Sequence, residues 1–209
     1  MKAVFVNKHS ILRDSHIDPD TPPETWRLMP ATLEAMRSLA QEDVLLFIFG
    51  QRAPSPKDGK DTPSFQALVD QIEAAGGRVD GIIACQHGQD EECECWGEPP
   101  GMLWIAASRF DLHLDESYVL GDTEQDAIAA CATGARPFII LCERSIDGIL
   151  GDLPHSKDIP IAVDLSTAVS YINVEEEINR QLGHLRDLAH PLPTADLLDT
   201  APEALPELT

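Results

Sequence analysis

Three thiols and one imidazole fall within eleven positions of this chain, as Cys85-Gln86-His87 and, five residues later, Cys93-Glu94-Cys95. Zinc accepts four such ligands tetrahedrally, and two short clips joined by a loop are how a chain closes around the ion. With every position taken by a protein ligand no water can be activated, so the expected metal is structural. Asp90, Glu91, Glu92 and Glu94 crowd the same segment and read as a solvated loop, because oxygen ligands compete poorly beside thiolates. The competing reading is a set of incidental thiols, one of which pairs as a disulfide; the absence of an apolar export signal before Lys2 argues against it. Cys131 and Cys142 fall on helix and strand-end patterns and are expected in the core.

A second group of polar residues stands where apolar runs stop. Ala3-Val4-Phe5-Val6 breaks abruptly into Asn7-Lys8-His9-Ser10, and Tyr118-Val119-Leu120 breaks into Gly121-Asp122-Thr123-Glu124-Gln125-Asp126. In open α/β sheets the carboxyl ends of strands are where ligands and catalytic groups gather. Asn7, His9, Asp122 and Asp126 are therefore the candidates for a cleft. Asp122 and Asp126 also have an ordinary reading, in which Asp122 satisfies loop amides and Asp126 caps a helix or forms an ion pair.

These groups need a sheet to position them. Strand-like runs recur at Ala3–Val6, Val44–Phe49, Gly81–Ala84, Tyr118–Leu120, Phe138–Leu141 and Ile161–Val163, alternating with helical periodicity. Helices are expected over Met29–Ala40, from Thr62-Pro63-Ser64 to Ala75, over Gly101–Arg109, over Thr123–Ala132, and from Ser166 onward with Asp164 or Ser166 as cap. That alternation predicts a doubly wound, three-layer α/β/α sheet of parallel strands, Rossmann-like, carrying the zinc loop over 85–95. The domain is expected over 1–189. A tail over 190–209, with Pro191, Pro193, Pro202 and Pro206 among acidic residues and leucines, cannot form its own core; its leucines are expected to dock on the domain or on a neighbouring chain.

The 209 residues carry 15 basic and 36 acidic side chains, a net charge of −21. Such a field repels nucleic acid and anionic membranes at long range. No run approaches the roughly 18 apolar residues of a membrane span, and a cytoplasmic protein is expected. A protein partner or a small phosphorylated ligand is compatible with the charge, since local amides can outweigh a distant field.

In order along residues 2–172, these segments resemble the phosphatases of the haloacid dehalogenase superfamily, in the branch of heptose bisphosphate phosphatase and histidinol phosphate phosphatase. Lys2–Val6 is similar to the family's first strand, Cys85–Cys95 to its zinc loop, Pro100-Gly101-Met102-Leu103 to the helix start that follows, and Tyr118–Asp126 to its acidic fourth motif. The resemblance implies the fold and the zinc ligands Cys85, His87, Cys93 and Cys95. It also implies a magnesium-dependent phosphoryl transfer, and there the chain departs from the pattern. The aspartate nucleophile aligns with Asn7 and the aspartate acid/base with His9. The second motif's Ser or Thr aligns with Phe49, and the third motif's lysine with Gly97.

Each departure removes a function. A carboxamide is a poor nucleophile, and Asn7 deprives Mg²⁺ of one of the anionic oxygens that hard cation prefers. His9 can move protons near neutral pH but needs a competent nucleophile to act on. Phe49 and Gly97 remove a hydrogen bond and a cation from the transferring phosphoryl group. The leading expectation is a catalytically inactive phosphatase fold with a structural zinc, kept as a binding, regulatory or assembly subunit. The alternative is an active metal-dependent phosphomonoester hydrolase on a sugar phosphate or histidinol phosphate, with residual Mg²⁺ or ligand binding through Asn7, His9, Asp122 and Asp126. Within that alternative His9 could accept the phosphoryl group, or Lys8, Arg52, Lys57 or Lys60 could supply the missing cation. Trp96 is expected at the cleft rim or as a cover for the zinc loop.

Overall fold

The computed structural model describes residues 1–51, 62–85, 101–150 and 159–188. Six strands form one parallel sheet in the order β3-β2-β1-β4-β5-β6, with β1 at Lys2–Asn7, β2 at Val44–Gln51, β3 at Gly81–Cys85, β4 at Tyr118–Gly121, β5 at Arg136–Ile140 and β6 at Ile161–Ala162. All-parallel sheets need helices on both faces, and the strands supply apolar side chains to both, so β1 is buried on each side from Ala3 onward.

Val4, Val6, Leu46 and Ile48 point to one face, where α1 (Lys8–Asp14), α2 (Pro30–Ser38), α3 (Thr62–Ala74) and the first turns of α7 (Leu165–Leu188) cover them with Ile11, Met36, Leu68 and Val169. Ala3, Phe5, Phe47 and Phe49 point to the other face, under α4 (Gly101–Phe110) and α5 (Glu124–Thr133). Phe5 stacks on Phe47 at 5.3 Å between ring centroids. Each of these large apolar side chains contributes about 1.5–3 kcal/mol by leaving water. A short α6 (Ile146–Leu150) follows β5.

The strand order reverses direction at β1: the chain moves outward through β2 and β3, then returns to place β4 on the opposite side of β1. Helices leaving β1 and β4 therefore diverge and open a crevice at the two carboxyl ends. Asn7 and Gly121 are the last residues of those two strands.

The predicted three-layer architecture is present. Helices α1 and α6 were not expected, because seven and five residues are too few to display a 3.6-residue period. The polar run after Val6 reads as a loop, yet it folds as α1 because Asn7 caps it, accepting the His9 N–H at 2.8 Å, and because Ile11 and Leu12 bury against the sheet. Asp164, one of the two caps expected for α7, accepts the Thr167 N–H at 2.7 Å, and the helix begins at Leu165. Cys131 corrects its expectation: it lies on the exposed side of α5. Cys142 is half-buried against the core, in a left-handed backbone with φ +44°.

The chain divides into two compact units, residues 1–173 and 174–209. In the second, the described residues are the end of α7, which exposes Val174, Ile178 and Leu182 at helical spacing. Cys85 closes β3, but the zinc set it would form with His87, Cys93 and Cys95 lies outside the described residues, as do Gly97, Trp96 and the 190–209 tail. Among the described residues no helix is long and apolar enough to cross a membrane.

Candidate functional site

The crevice between β1 and β4 brings Asn7 together with Asp122 and Asp126, which lie more than a hundred positions later in the chain. All three are buried. A buried carboxylate is costly unless its oxygens are matched by donors or cations, so the partners of each group define what the site can do.

Asp126 is matched by donors. Asn7 Nδ2 donates to both carboxylate oxygens, at 3.1 Å to Oδ1 and 3.0 Å to Oδ2. The Thr123 hydroxyl donates to Oδ2 at 2.8 Å, and the backbone N–H groups of Asp122 and Thr123 reach the same oxygen at 3.1 and 3.2 Å. Thr123 in return accepts the Asp126 N–H, closing a reciprocal cap on α5. Burial raises the Asp126 carboxyl from 3.8 to about 6; the Thr123 hydrogen bond opposes that rise, the Asp122 charge adds to it, and the Asn7 hydrogen bond opposes it. Gly121 makes this packing feasible, since a Cβ there would sit 2.3 Å from the Asp126 Cβ.

Asp122 is matched by cations. Its Oδ2 lies 2.8 Å from Arg13 Nε and 3.0 Å from Arg144 Nη2, and that same Nη2 donates to the Asp122 backbone carbonyl at 2.8 Å. Its other oxygen, Oδ1, is buried with no hydrogen-bond partner among the described residues. The ordinary reading of this pair is thus corrected in its details: Asp126 satisfies the loop amides and caps α5, while Asp122 makes the ion pairs.

His9 sits at the start of α1, half-buried, and its backbone rather than its ring is tied to Asn7. Burial, then the Lys8 charge, depress its pKa below the ordinary 6.5, with Asp122 pulling the other way. A histidine so placed is neutral at physiological pH. Lys8 is buried with its Nζ 3.4 Å from the Ser64 hydroxyl and 4.8 Å from the centre of the Phe65 ring, between α1 and α3. Phe49 packs with Phe5, Phe47 and Leu103 in the core beneath α4. Its bulk therefore belongs to the sheet face.

Would Mg²⁺ fit here? The ion demands six close oxygens in near-octahedral order and favours carboxylates. The Asn7 oxygen is turned to the His9 N–H, both Asp126 oxygens accept hydrogen bonds, and Asp122 Oδ2 is shared by two guanidiniums. One anionic oxygen, Asp122 Oδ1, is left, beside two fixed positive charges. Among the described residues, this donor set does not fit magnesium.

Arg13 and Arg144 are residues of the crevice that sequence reasoning did not single out. They lie 131 positions apart, on the last turn of α1 and after β5, and neither belongs to a recognisable motif. The usable signal was indirect: a buried aspartate at a strand end requires a counter-charge. Beside them opens a cavity of about 470 Å³, lined among others by His16, Cys142, Glu143 and Ser166. His16, Cys142 and Glu143 all have positive φ, at +55°, +44° and +68°.

No family model matches the chain. It is 28% identical over 144 residues to the D-glycero-beta-D-manno-heptose-1,7-bisphosphate 7-phosphatase of Bordetella bronchiseptica, covering 67% of this chain and 80% of that one. The protein of the same name from Pseudomonas putida is 27% identical over 121 residues, 56% of this chain and 69% of the relative. Among solved structures, the D,D-heptose 1,7-bisphosphate phosphatase from B. bronchiseptica, complexed with magnesium and phosphate, superposes with a TM-score of 0.70 at 22% identity, over 84% of this chain and 99% of that one.

Proposed function

Because this chain belongs to the haloacid dehalogenase superfamily, in the branch of the heptose bisphosphate phosphatases, we propose that it is a phosphatase fold that has lost phosphoryl transfer and serves as a binding or regulatory subunit. The observation that carries the reading is the Asn7–Asp126 contact. At the position where the family's nucleophile aligns stands a neutral carboxamide whose nitrogen faces a buried carboxylate and whose oxygen caps α1. It presents no anionic oxygen to a phosphorus atom.

Binding would fall to the cavity beside Arg13 and Arg144, whose guanidiniums suit the planar oxygens of a phosphate or carboxylate. Two acids on its wall are already engaged: Asp14 accepts from the Leu165 N–H and the Thr32 hydroxyl, and Asp164 from the Thr167 N–H. A zinc held by Cys85, His87, Cys93 and Cys95 belongs to the same proposal, on the chemistry of three thiolates and one imidazole. It would fix the loop and take no part in a reaction.

The second reading, an active phosphomonoester hydrolase, is favoured by the names of the relatives, both of which are phosphatases. Phosphate release from heptose 1,7-bisphosphate, simple sugar phosphates and histidinol phosphate, with millimolar Mg²⁺, separates the two. The proposal expects no saturable turnover. Turnover that disappears in His9→Ala would favour the hydrolase instead.

A further inference from the structure

We infer that Arg13 and Arg144 are built-in replacements for the divalent cation of this crevice, holding Asp122 by two guanidiniums where the family resemblance implies a metal. The inference rests on, and deepens, the proposed loss of phosphoryl transfer. It adds a specific claim about cations that the change at Asn7 does not itself contain.

The geometry carries it in three steps. Asp122 is at the end of β4 facing the end of β1, with its side chain only 1% exposed, so its charge must be met from within the crevice. Both guanidiniums converge on one oxygen, at 2.8 and 3.0 Å, and Arg144 reaches the backbone carbonyl of the same residue as well. A cation holding one carboxylate oxygen and one carbonyl together is behaving as a metal ion would, with N–H donors in place of coordination bonds.

The backbone around Arg144 supports the same assignment. Cys142 and Glu143 are consecutive left-handed residues, an arrangement that L side chains resist. They turn the chain after β5 so that the Arg144 N–H bonds the Leu141 carbonyl at 3.0 Å and its Nε the same oxygen at 3.3 Å. Unfavourable backbone of this kind persists where the surroundings over-determine it. Here its product is a guanidinium aimed back at β4. Arg13 arrives independently, from the last turn of α1, a helix that exists because Asn7 caps it.

The inference explains two features together. Asp122 can stay charged and buried although positions 7 and 9 carry no carboxylate, because its charge is met by the arginines. Both guanidiniums take the same oxygen, and the second oxygen has no hydrogen-bond partner among the described residues.

The test is Mn²⁺ binding to the 209-residue chain purified with zinc in the buffer, followed by the loss of the free-ion electron paramagnetic resonance signal, with Mg²⁺ calorimetry alongside. The acidic surface will bind some metal, so binding is attributed to the crevice only where Asp122→Asn removes it. The wild type is expected to show no such component. The Arg13→Gln/Arg144→Gln double variant should gain one, at least about tenfold tighter than any in the wild type. A wild type that binds Mn²⁺ through Asp122 as tightly as the double variant would overturn the inference, and so would a folded double variant that gains nothing. If circular dichroism shows the double variant unfolded, Arg13→Gln alone and the melting temperature of the wild type with and without Mg²⁺ decide. A gain of binding in the single variant and no Mg²⁺ shift in the wild type support the inference; a single variant without gain, or a wild-type Mg²⁺ shift abolished by Asp122→Asn, contradicts it. Metal bound through Asp122 without turnover sinks this inference alone. Metal-free turnover sinks the proposed function alone.

Discussion

The side-chain nitrogen of Asn7 lies 3.1 and 3.0 Å from the two carboxylate oxygens of Asp126, across the gap between β1 and β4. The amide orientation follows from its partners: with oxygen and nitrogen exchanged, an oxygen would face a carboxylate and an NH₂ group would face the His9 N–H. Asn7 is therefore a cross-brace between the two strand ends as well as the cap of α1.

Replacing that brace with the residue the family uses should cost stability. Asn7→Asp removes the donor and sets two carboxylates at hydrogen-bonding distance, a loss of about 1–3 kcal/mol at pH 8. At pH 5 the penalty should shrink, because a proton on one carboxyl restores a donor between them. Urea unfolding at the two pH values checks this, and an Asn7→Asp protein as stable as wild type at pH 8 would contradict it.

The Asp126 carboxyl itself sets a pH dependence in the wild type. Its proton is held up to about pH 6 in the folded protein against an ordinary 3.8, so the folded state binds more protons between those values. This group's contribution to stability therefore falls as pH rises through that window and is flat above it. Carbon-13 NMR of the labelled carboxyl should give a midpoint near 6; a midpoint near 4 would mean that burial is less complete than described.

Gly121 should tolerate no side chain. A Cβ there would lie 2.3 Å from the Asp126 Cβ and 2.6 Å from its carboxyl carbon, and Asp126 is fixed by five hydrogen bonds to Asn7, Asp122 and Thr123. Gly121→Ala is expected to lose about 1–3 kcal/mol, the range for overpacking a tight core. Thermal unfolding measures it, and an unchanged melting temperature would contradict the packing.

Cys142 should resist alkylation. Burial first, and then the nearby Asp14 and Asp122 charges, push its thiol up to about 12, leaving almost no thiolate at pH 8. Cys131 is exposed and its thiol is raised by burial alone. Iodoacetamide with peptide mass mapping should modify Cys131 before Cys142; the reverse order would show that the turn after β5 opens.

The zinc proposal is tested by elemental analysis of the purified chain. One zinc per chain is expected, falling to a small fraction in Cys93→Ser with a clear loss of stability, since binding energy of a structural zinc is folding energy. A metal-free wild type that unfolds at the same temperature with and without added zinc would remove it.

The sheet was legible because β1, β2 and β4 are unbroken apolar runs and because Gly76 and Gly134 end helices α3 and α5 in left-handed backbone, as their positions after the periodic stretches suggest. Helix α1 was not legible. Its cap is an asparagine that reads equally well as a catalytic position, and its seven residues give too little period. Of the cleft candidates Asn7, His9, Asp122 and Asp126, the structure places Asn7 against Asp126 at the ends of β1 and β4, but the division of labour between the two aspartates was not legible. That division depends on Arg13 and Arg144, whose meeting at one oxygen is set by α1 and by the left-handed turn at Cys142 and Glu143. Charge compensation of a buried aspartate constrains where a cation must be, not which residue supplies it.

Rapid quench of the chain into neutral denaturant after mixing with heptose 1,7-bisphosphate or acetyl phosphate and Mg²⁺, followed by intact-mass and peptide analysis without acid, asks directly whether the end of β1 can accept a phosphoryl group. The account predicts an unmodified chain at every quench time. A phosphoryl adduct mapping to Asn7 or His9 would contradict it.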